Sequence, residues 1–372
     1  MKVLQVLPEL NTGGVERGTL DLAKELVKNG YRSYVISSGG IQVEALENQG
    51  SIHIQMPVAR KHFMTLLQVK RLREVILEMQ PDIIHVRSRM PAWMVFLALR
   101  VLPKNKRPVL VSTFHGIYSK PYYSQVMTFA DHIISVSDTV TEYITNTYKV
   151  DKKNITRIYR GCDTEVFNRK VLDDEWKNKW YTEFPQTKGK KLLTLPARVT
   201  KWKGIDTMLD LISSLDDEYH ALIVGPVNTN KHRYWEALNS IIKAKRIQSR
   251  VTFSGARNDI DNIYRLSSIV YNLSTQPEPF GRTMCEACNV GTKVIAWASA
   301  GPKESLSAMF PDGLIEPGNM QMLIEKTKEI SDKKDLIPKE DIFTSQKMTS
   351  QTISLYQNLL FARAHSETST VG

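Results

Sequence analysis

The feature that most constrains this chain is a strand–loop–helix–strand order that occurs twice. Val3 to Leu7 is an apolar run of strand length, followed by Asn11-Thr12-Gly13-Gly14 and a helical pattern from about Val15 to Lys28. Gly30 supplies a helix stop, and Tyr34 to Ser37 is the next apolar run. Such a βαβ unit requires parallel strands, because only a crossover helix can return the chain to the same end of the sheet. The order restarts at Lys190, with a run to Ala197, a loop from Arg198 to Gly204, a helix from Ile205 to Ser213 and a run from His220 to Gly225. Two open parallel α/β sheets, one per domain, suit a chain of 372 residues. The expected boundaries are 1–166 and 167–346. A terminal segment, 347–372, carries a helix from Met348 to Ala362 that should cross back onto the first domain, then a polar tail from Ser366.

Open parallel sheets bind ligands beyond the carboxyl ends of their strands, so the residues placed there are the candidates for chemistry. In the first half these are Gly13 and Gly14 with Glu16, Arg87 and Arg89 after the run Asp82 to Val86, and His115 after Val109 to Phe114. The glycine pair can bring backbone N–H groups to a phosphate or can be only a tight turn. The two arginines read as an anion site or as a salt-bridged loop. In the second half, Arg198, Lys203 and Gly204 precede a helix, which suits a diphosphate or a solvated loop. Glu278 and Glu286 stand eight positions apart around a Pro-x-Gly turn. The helix expected from Thr283 to Asn289 places Glu278 ahead of its N-terminus and Glu286 about two turns inside it. The carboxylates are then on the order of 10 Å apart, with free amides and a positive dipole end between them. Hydroxyl acceptors at both ends and an anion seat in the middle match the length of a nucleotide sugar.

The net charge of +11 leans toward the first half. It favours phosphate or anionic partners, but the charge is not interleaved with aromatics in any one segment, which argues against a nucleic-acid binder. A basic stretch from Arg60 and Lys61 to Lys70, Arg71 and Arg73 is either a surface for anionic lipid or a solvated face above a core stripe of Leu66, Leu67, Val69, Leu72 and Ile76. Three cysteines, Cys162, Cys285 and Cys288, are too few for a structural zinc site and read as packing residues. The N-terminus has no signal-peptide architecture, and the longest apolar stretch, Pro91 to Val101, is too short to span a bilayer. The expected location is therefore cytoplasmic, with peripheral attachment to the cytoplasmic face of the inner membrane left open.

These motifs, in this order, resemble the retaining glycosyltransferases of family 4, in particular bacterial lipopolysaccharide and cell-envelope enzymes. The resemblance runs over almost the whole chain. It includes the Glu–seven residues–Glu stretch with its Glu-x-Phe-Gly opening (Glu278, Phe280, Gly281, Glu286) and the Gly-Gly-x-Glu loop (Gly13, Gly14, Glu16). It also includes Arg198 with Lys203-Gly204, in which Ala197 replaces a usual Gly. Arg160-Gly161-Cys162-Asp163 stands for an Asn-Gly-Val-Asp signature, and Ala300-Gly301-Pro302 departs from a usual Gly-Gly loop. The resemblance implies the GT-B arrangement, two Rossmann-like domains facing across a cleft, and sugar transfer from a nucleoside diphosphate donor, UDP- or GDP-linked, without a metal or other cofactor. The acceptor it implies is a glycolipid or lipid-linked saccharide. It assigns donor binding to Gly13, Gly14, Arg198, Lys203, Glu278, Phe280, Gly281 and Glu286, and a place near the reaction centre to His115. Acceptor contacts fall to Arg87, Arg89 and Glu16. A GT-B sugar-nucleotide epimerase and a non-catalytic nucleotide-sugar-binding protein are the alternatives.

Overall fold

The computed structural model describes residues 1–11, 13–59, 63–227 and 232–368. Its contacts divide the chain into two units, Met1–Gly161 with Ser345–Gly372, and Cys162–Thr344.

In the first unit the described strands are β1 (Lys2–Val6), β2 (Arg32–Ser37), β3 (Ile52–Gln55), β4 (Ile83–Val86), β5 (Val109–Phe114), β6 (His132–Ser135) and β7 (Ile155–Arg157). They form a sheet in the order β3-β2-β1-β4-β5-β6-β7, and every pairing is parallel. Strands β4, β5 and β6 are buried along their whole length, which is why they read as continuous apolar runs without alternation. The helix Gly14–Lys28 buries Gly18, Thr19, Leu22, Ala23 and Leu26 on one face. It ends in a Schellman turn: Gly30, at φ +75°, donates to the Val27 carbonyl, and Tyr31 donates to that of Leu26.

The C-terminal helix, Ser345–Thr368, belongs to this unit, as expected, although it runs on through residues that read as tail. Met348, Ile353 and Tyr356 pack with Val3, Leu22, Leu26 and Ile83. The Tyr356 hydroxyl lies 2.6 Å from His85 Nδ1, and His85 Nε2 lies 2.6 Å from Thr113 Oγ1. That buried chain of hydrogen bonds fixes the returning helix to β4 and β5.

In the second unit the described strands are β8 (Lys191–Pro196), β9 (Tyr219–Val224), β10 (Val251–Gly255), β11 (Ile269–Asn272), β12 (Lys293–Trp297) and β13 (Leu314–Ile315). Their order is β10-β9-β8-β11-β12-β13, again wholly parallel. Both units are thus Rossmann-like. In each, the order reverses beside one strand, so that β1 meets β4 and β8 meets β11. At such a switch point the loops leaving the two strands diverge and open a crevice.

Candidate functional site

In the second unit the switch point joins two loops that are far apart in sequence. The loop after β8 carries Arg198 and Lys203, and the loop after β11 carries Ser274 and Glu278. Lys203 Nζ lies 2.5 Å from Glu278 Oε1, and the Thr275 N–H donates to the Trp202 carbonyl at 2.8 Å. Glu278 also accepts from Ser274 Oγ, and from Asn272 Nδ2 at 3.2 Å. The ammonium of Lys203 sits 4.2 Å from the centre of the Trp202 ring. These side chains are largely withdrawn from water, with 18% of Lys203 and 12% of Glu278 exposed. Arg198 differs: it is exposed and makes no hydrogen bond or ion pair with the described residues. Gly204, at φ +77°, starts the helix Ile205–Ser213 and comes so close to β11 that a Cβ there would stand 2.1 Å from the Leu273 carbonyl oxygen. Only glycine lets the Lys203 loop approach Glu278.

The helix after Gly281 runs from Arg282 to Asn289, with Gly281 at φ +88° ahead of it. Glu286 is therefore its fifth residue, just over one turn inside rather than about two, even though the helix begins one residue earlier than expected. Its carboxylate is buried. Arg282 Nε lies 2.8 Å from Oε1, but its N–H does not point along that line, so the contact is an ion pair without an aligned hydrogen bond. The Tyr264 hydroxyl donates to Oε2 at 3.5 Å. Phe280 is buried edge-on against Phe343, with ring centres 5.3 Å apart.

The Ala300-Gly301-Pro302 departure has a backbone consequence. Ala300 adopts φ +51°, the left-handed region that glycine occupies without strain. Gly301 is needed as glycine, since a Cβ would lie 2.4 Å from Phe280 N. Its N–H donates to the Glu278 carbonyl at 3.0 Å, and Pro302 has no N–H to offer. This loop therefore braces the Glu278 backbone and has fewer amides for a ligand.

In the first unit His115 follows β5, and its Nδ1 lies 3.0 Å from Arg160 Nη1. Arg160 Nη2 donates to the carbonyl of Gly14 at the start of the helix Gly14–Lys28. Burial, then Arg160, Arg87 and His85, hold the His115 imidazole well below its usual range. Arg160 is a functional candidate that sequence reasoning noticed only as a replaced asparagine. Its partners are 45 and 146 positions away, and no local signal connects them.

Arg87 and Arg89, which read as an anion site or a salt-bridged loop, turn to different partners. Arg87 is buried and turned toward the first helix, where Nη1 donates to Thr19 Oγ1 at 3.2 Å; burial lowers it to about 10. Arg89 opens the helix Arg89–Arg100 and lies over the Tyr118 and Tyr123 rings, at 4.8 and 5.6 Å. Residues two apart in a strand share a face, but β4 ends at Val86 and Arg89 already lies in the first turn of a helix, and that change of backbone separates the two side chains. Glu16 curls back onto Gly13: a Cβ on that glycine would meet Glu16 Oε2 at 2.3 Å.

Of the basic stretch, residues 60–62 lie outside the described residues. The helix that follows, Phe63–Met79, exposes Lys70 and Arg71 beside Glu74 and Glu78, so its outer face is mixed in charge. Val69, Leu72 and Ile76 form its core stripe, whereas Leu67 is 55% exposed. No helix among the described residues is long and apolar enough to cross a membrane. The three cysteines are free and buried, and burial raises all three thiols, Cys162 to about 12. A cavity of about 850 Å³, lined in part by Arg100, Arg107, Phe129 and Arg363, lies at the opposite, amino-terminal end of β5 and touches none of the candidate residues.

Residues 12–166 match the family described as Glycosyltransferase Family 4, and residues 177–346 match Glycosyl transferases group 1. An uncharacterized glycosyltransferase of Haemophilus influenzae is 24% identical over 326 residues, 85% of this chain and 86% of its own. A glycosyltransferase crystal structure from Rickettsia africae superposes with a TM-score of 0.82 at 27% identity, covering 96% of this chain and 98% of that one. Anabaena HepE in complex with UDP gives 0.76 at 20% identity, covering 99% and 100%. Two adjoining family matches account for most of the chain, and they meet where one Rossmann-like unit gives way to the other. The chain belongs to the family-4 glycosyltransferases of GT-B fold.

Proposed function

We propose that this glycosyltransferase moves a sugar from a nucleoside diphosphate donor to a lipid-linked or lipopolysaccharide-type saccharide, with retention at the anomeric carbon. The observation that carries the donor half of this reading is the Lys203–Glu278 pair at the β8/β11 switch point, beside exposed Arg198. The HepE complex supports a uridine diphosphate as the carrier.

In this reading Arg198 and Lys203, with the amides at Phe280 and Gly281, stabilise the diphosphate. Their two cations and the N-terminus of the helix Arg282–Asn289 supply the neutralisation that a metal would otherwise provide. Glu278, already an acceptor for three donors, takes sugar hydroxyls, and Glu286 takes those of the ribose. The first unit supplies His115 near the sugar, the Gly13-Gly14 amides, and Arg89 and Glu16 toward the acceptor. The acceptor oxygen bonds to the anomeric carbon on the face from which the diphosphate departs. The broken carbon–oxygen bond leaves its electron pair on the diphosphate, whose oxygen takes the hydroxyl proton.

A thermal-shift panel of UDP-, GDP- and ADP-sugars tests the donor. One carrier should raise the melting temperature at micromolar to millimolar concentration, and EDTA should leave that shift and the transfer rate unchanged. No shift with any of the three overturns the reading. Release of free epimerised sugar nucleotide, without transfer, would replace it with epimerase chemistry.

A further inference from the structure

Arg160 occupies the place of the asparagine in the Asn-Gly-Val-Asp signature, and it does what an asparagine is too short to do. One terminal nitrogen reaches His115 Nδ1 at 3.0 Å while the other donates to the Gly14 carbonyl. The guanidinium crosses the first helix at Gly18, where a Cβ would stand 3.4 Å from both terminal nitrogens. A glycine inside a helix costs about 1 kcal/mol relative to alanine; here it keeps the lane of Arg160 open.

The chemistry of the contact decides the state of the ring. A guanidinium has donors only, so Nδ1 must present its lone pair, and the one proton of a neutral imidazole then sits on Nε2. Nε2 is closed off from solvent and has no hydrogen-bond partner among the described residues. A buried donor without a partner costs about 1–3 kcal/mol, which a ligand acceptor would recover.

We propose that Arg160 is a positioning residue, which by bridging Gly14 and His115 holds the imidazole in one orientation as a neutral Nε2–H donor toward the bound sugar. The identity of the acceptor as a sugar oxygen rests on the proposed function; the bridge itself does not. The groups facing His115 agree with a neutral ring. Arg160 stands on one side, with His85 from β4 and Arg87 from just beyond its end. Tyr356 on the C-terminal helix and Asp21 on the first helix face Arg87, and Tyr356 also bonds His85.

The test is nitrogen NMR of the full-length protein labelled with ¹⁵N-histidine, with His115 assigned through His115→Gln. The wild type should show an unprotonated Nδ1, a protonated Nε2 and no titration through the ordinary histidine range. Arg160→Leu should mix the tautomers and move the titration toward the ordinary histidine range, shifting the acid limb of kcat/KM upward. Arg160→Gln, whose amide can donate to Nδ1, should restore the tautomer. If Arg160→Leu does not fold, Gly18→Val should produce the same spectral change by displacing the guanidinium. A wild-type Nδ1–H tautomer, titration near the ordinary range, or an unchanged His115 signal in the variants overturns the proposal. The spectra need no turnover, so absence of sugar transfer would count against the proposed function and leave the bridge to be judged on its own.

Discussion

Lys203→Met separates the two tasks that the Lys203–Glu278 pair combines. Methionine keeps most of the aliphatic stem and removes the ammonium. Breaking a fully buried ion pair costs about 3–5 kcal/mol, because the remaining charge is stranded, and an exposed pair is worth about 0–1 kcal/mol. This pair lies between those limits, with 18% and 12% of the side chains exposed, and Glu278 retains Ser274 and Asn272 as donors. We therefore expect a loss of about 2 kcal/mol, which lowers the melting temperature by about 4–8 °C for a unit of this size. Activity should fall about 10²–10³-fold, the usual cost of one transition-state donor. The decisive measurement is the double variant Lys203→Met/Glu278→Gln. A neutral amide no longer needs a cation, so the melting temperature should recover most of its loss, while kcat/KM stays at or below the value for Lys203→Met. The two effects are then non-additive in stability and not rescued in rate. Near-normal turnover in Lys203→Met would refute the diphosphate role. An additive loss of stability in the double variant would refute the charge-pair argument.

Ala300→Gly should be stabilising, because φ +51° costs alanine about 1–2 kcal/mol and the extra backbone freedom of glycine returns about 0.5–1 of that; a thermal melt should rise by about 1–4 °C, and an unchanged or lower value would show that the loop is unstrained. Glu286→Ala should weaken binding of the nucleotide itself, measured by calorimetry with UDP, since this carboxylate is assigned to the ribose; unchanged affinity would reverse the orientation of donor along the helix. Stability should also decline in acid through His220, which is buried beside Thr252, with Nε2 at 2.8 Å from the hydroxyl and Nδ1 without a hydrogen-bond partner among the described residues. Burial depresses it to about 4, so the unfolded chain binds a proton first. The native state then loses stability as pH falls from about 6.5 to about 4. His220→Gln should flatten that slope in urea titrations at several pH values, and an undiminished slope would assign it to other groups.

The βαβ order, the positions of the candidate loops and the glycine-marked helix ends were legible because each depends on neighbours in sequence. Gly30 stops a helix through its own φ, and Gly281 precedes one in the same way. Long apolar runs such as Val109 to Phe114 carried the parallel sheet, since strands covered on both faces need no polar alternation. The position of Ala300-Gly301-Pro302 was legible as a departure, but its meaning was not: only the backbone reveals a left-handed alanine and a carbonyl braced by Gly301.

What the sequence determined by itself is the class of fold and the set of side chains presented at the strand ends. What tertiary structure decided is which of them meet. Lys203 and Glu278 are 75 residues apart and become an ion pair because β8 lies beside β11. Arg87 and Arg89 look equivalent in the sequence, yet one is buried against a helix and the other lies over two tyrosines. Arg160 looked like a simple replacement until the chain leaving β7 carried it past β6 to the end of β5 and the first helix, where one guanidinium can reach two distant groups. Local pattern reports backbone preference and burial, which act over a few residues. Contacts between loops depend on strand order, and strand order is settled by the packing of the whole sheet.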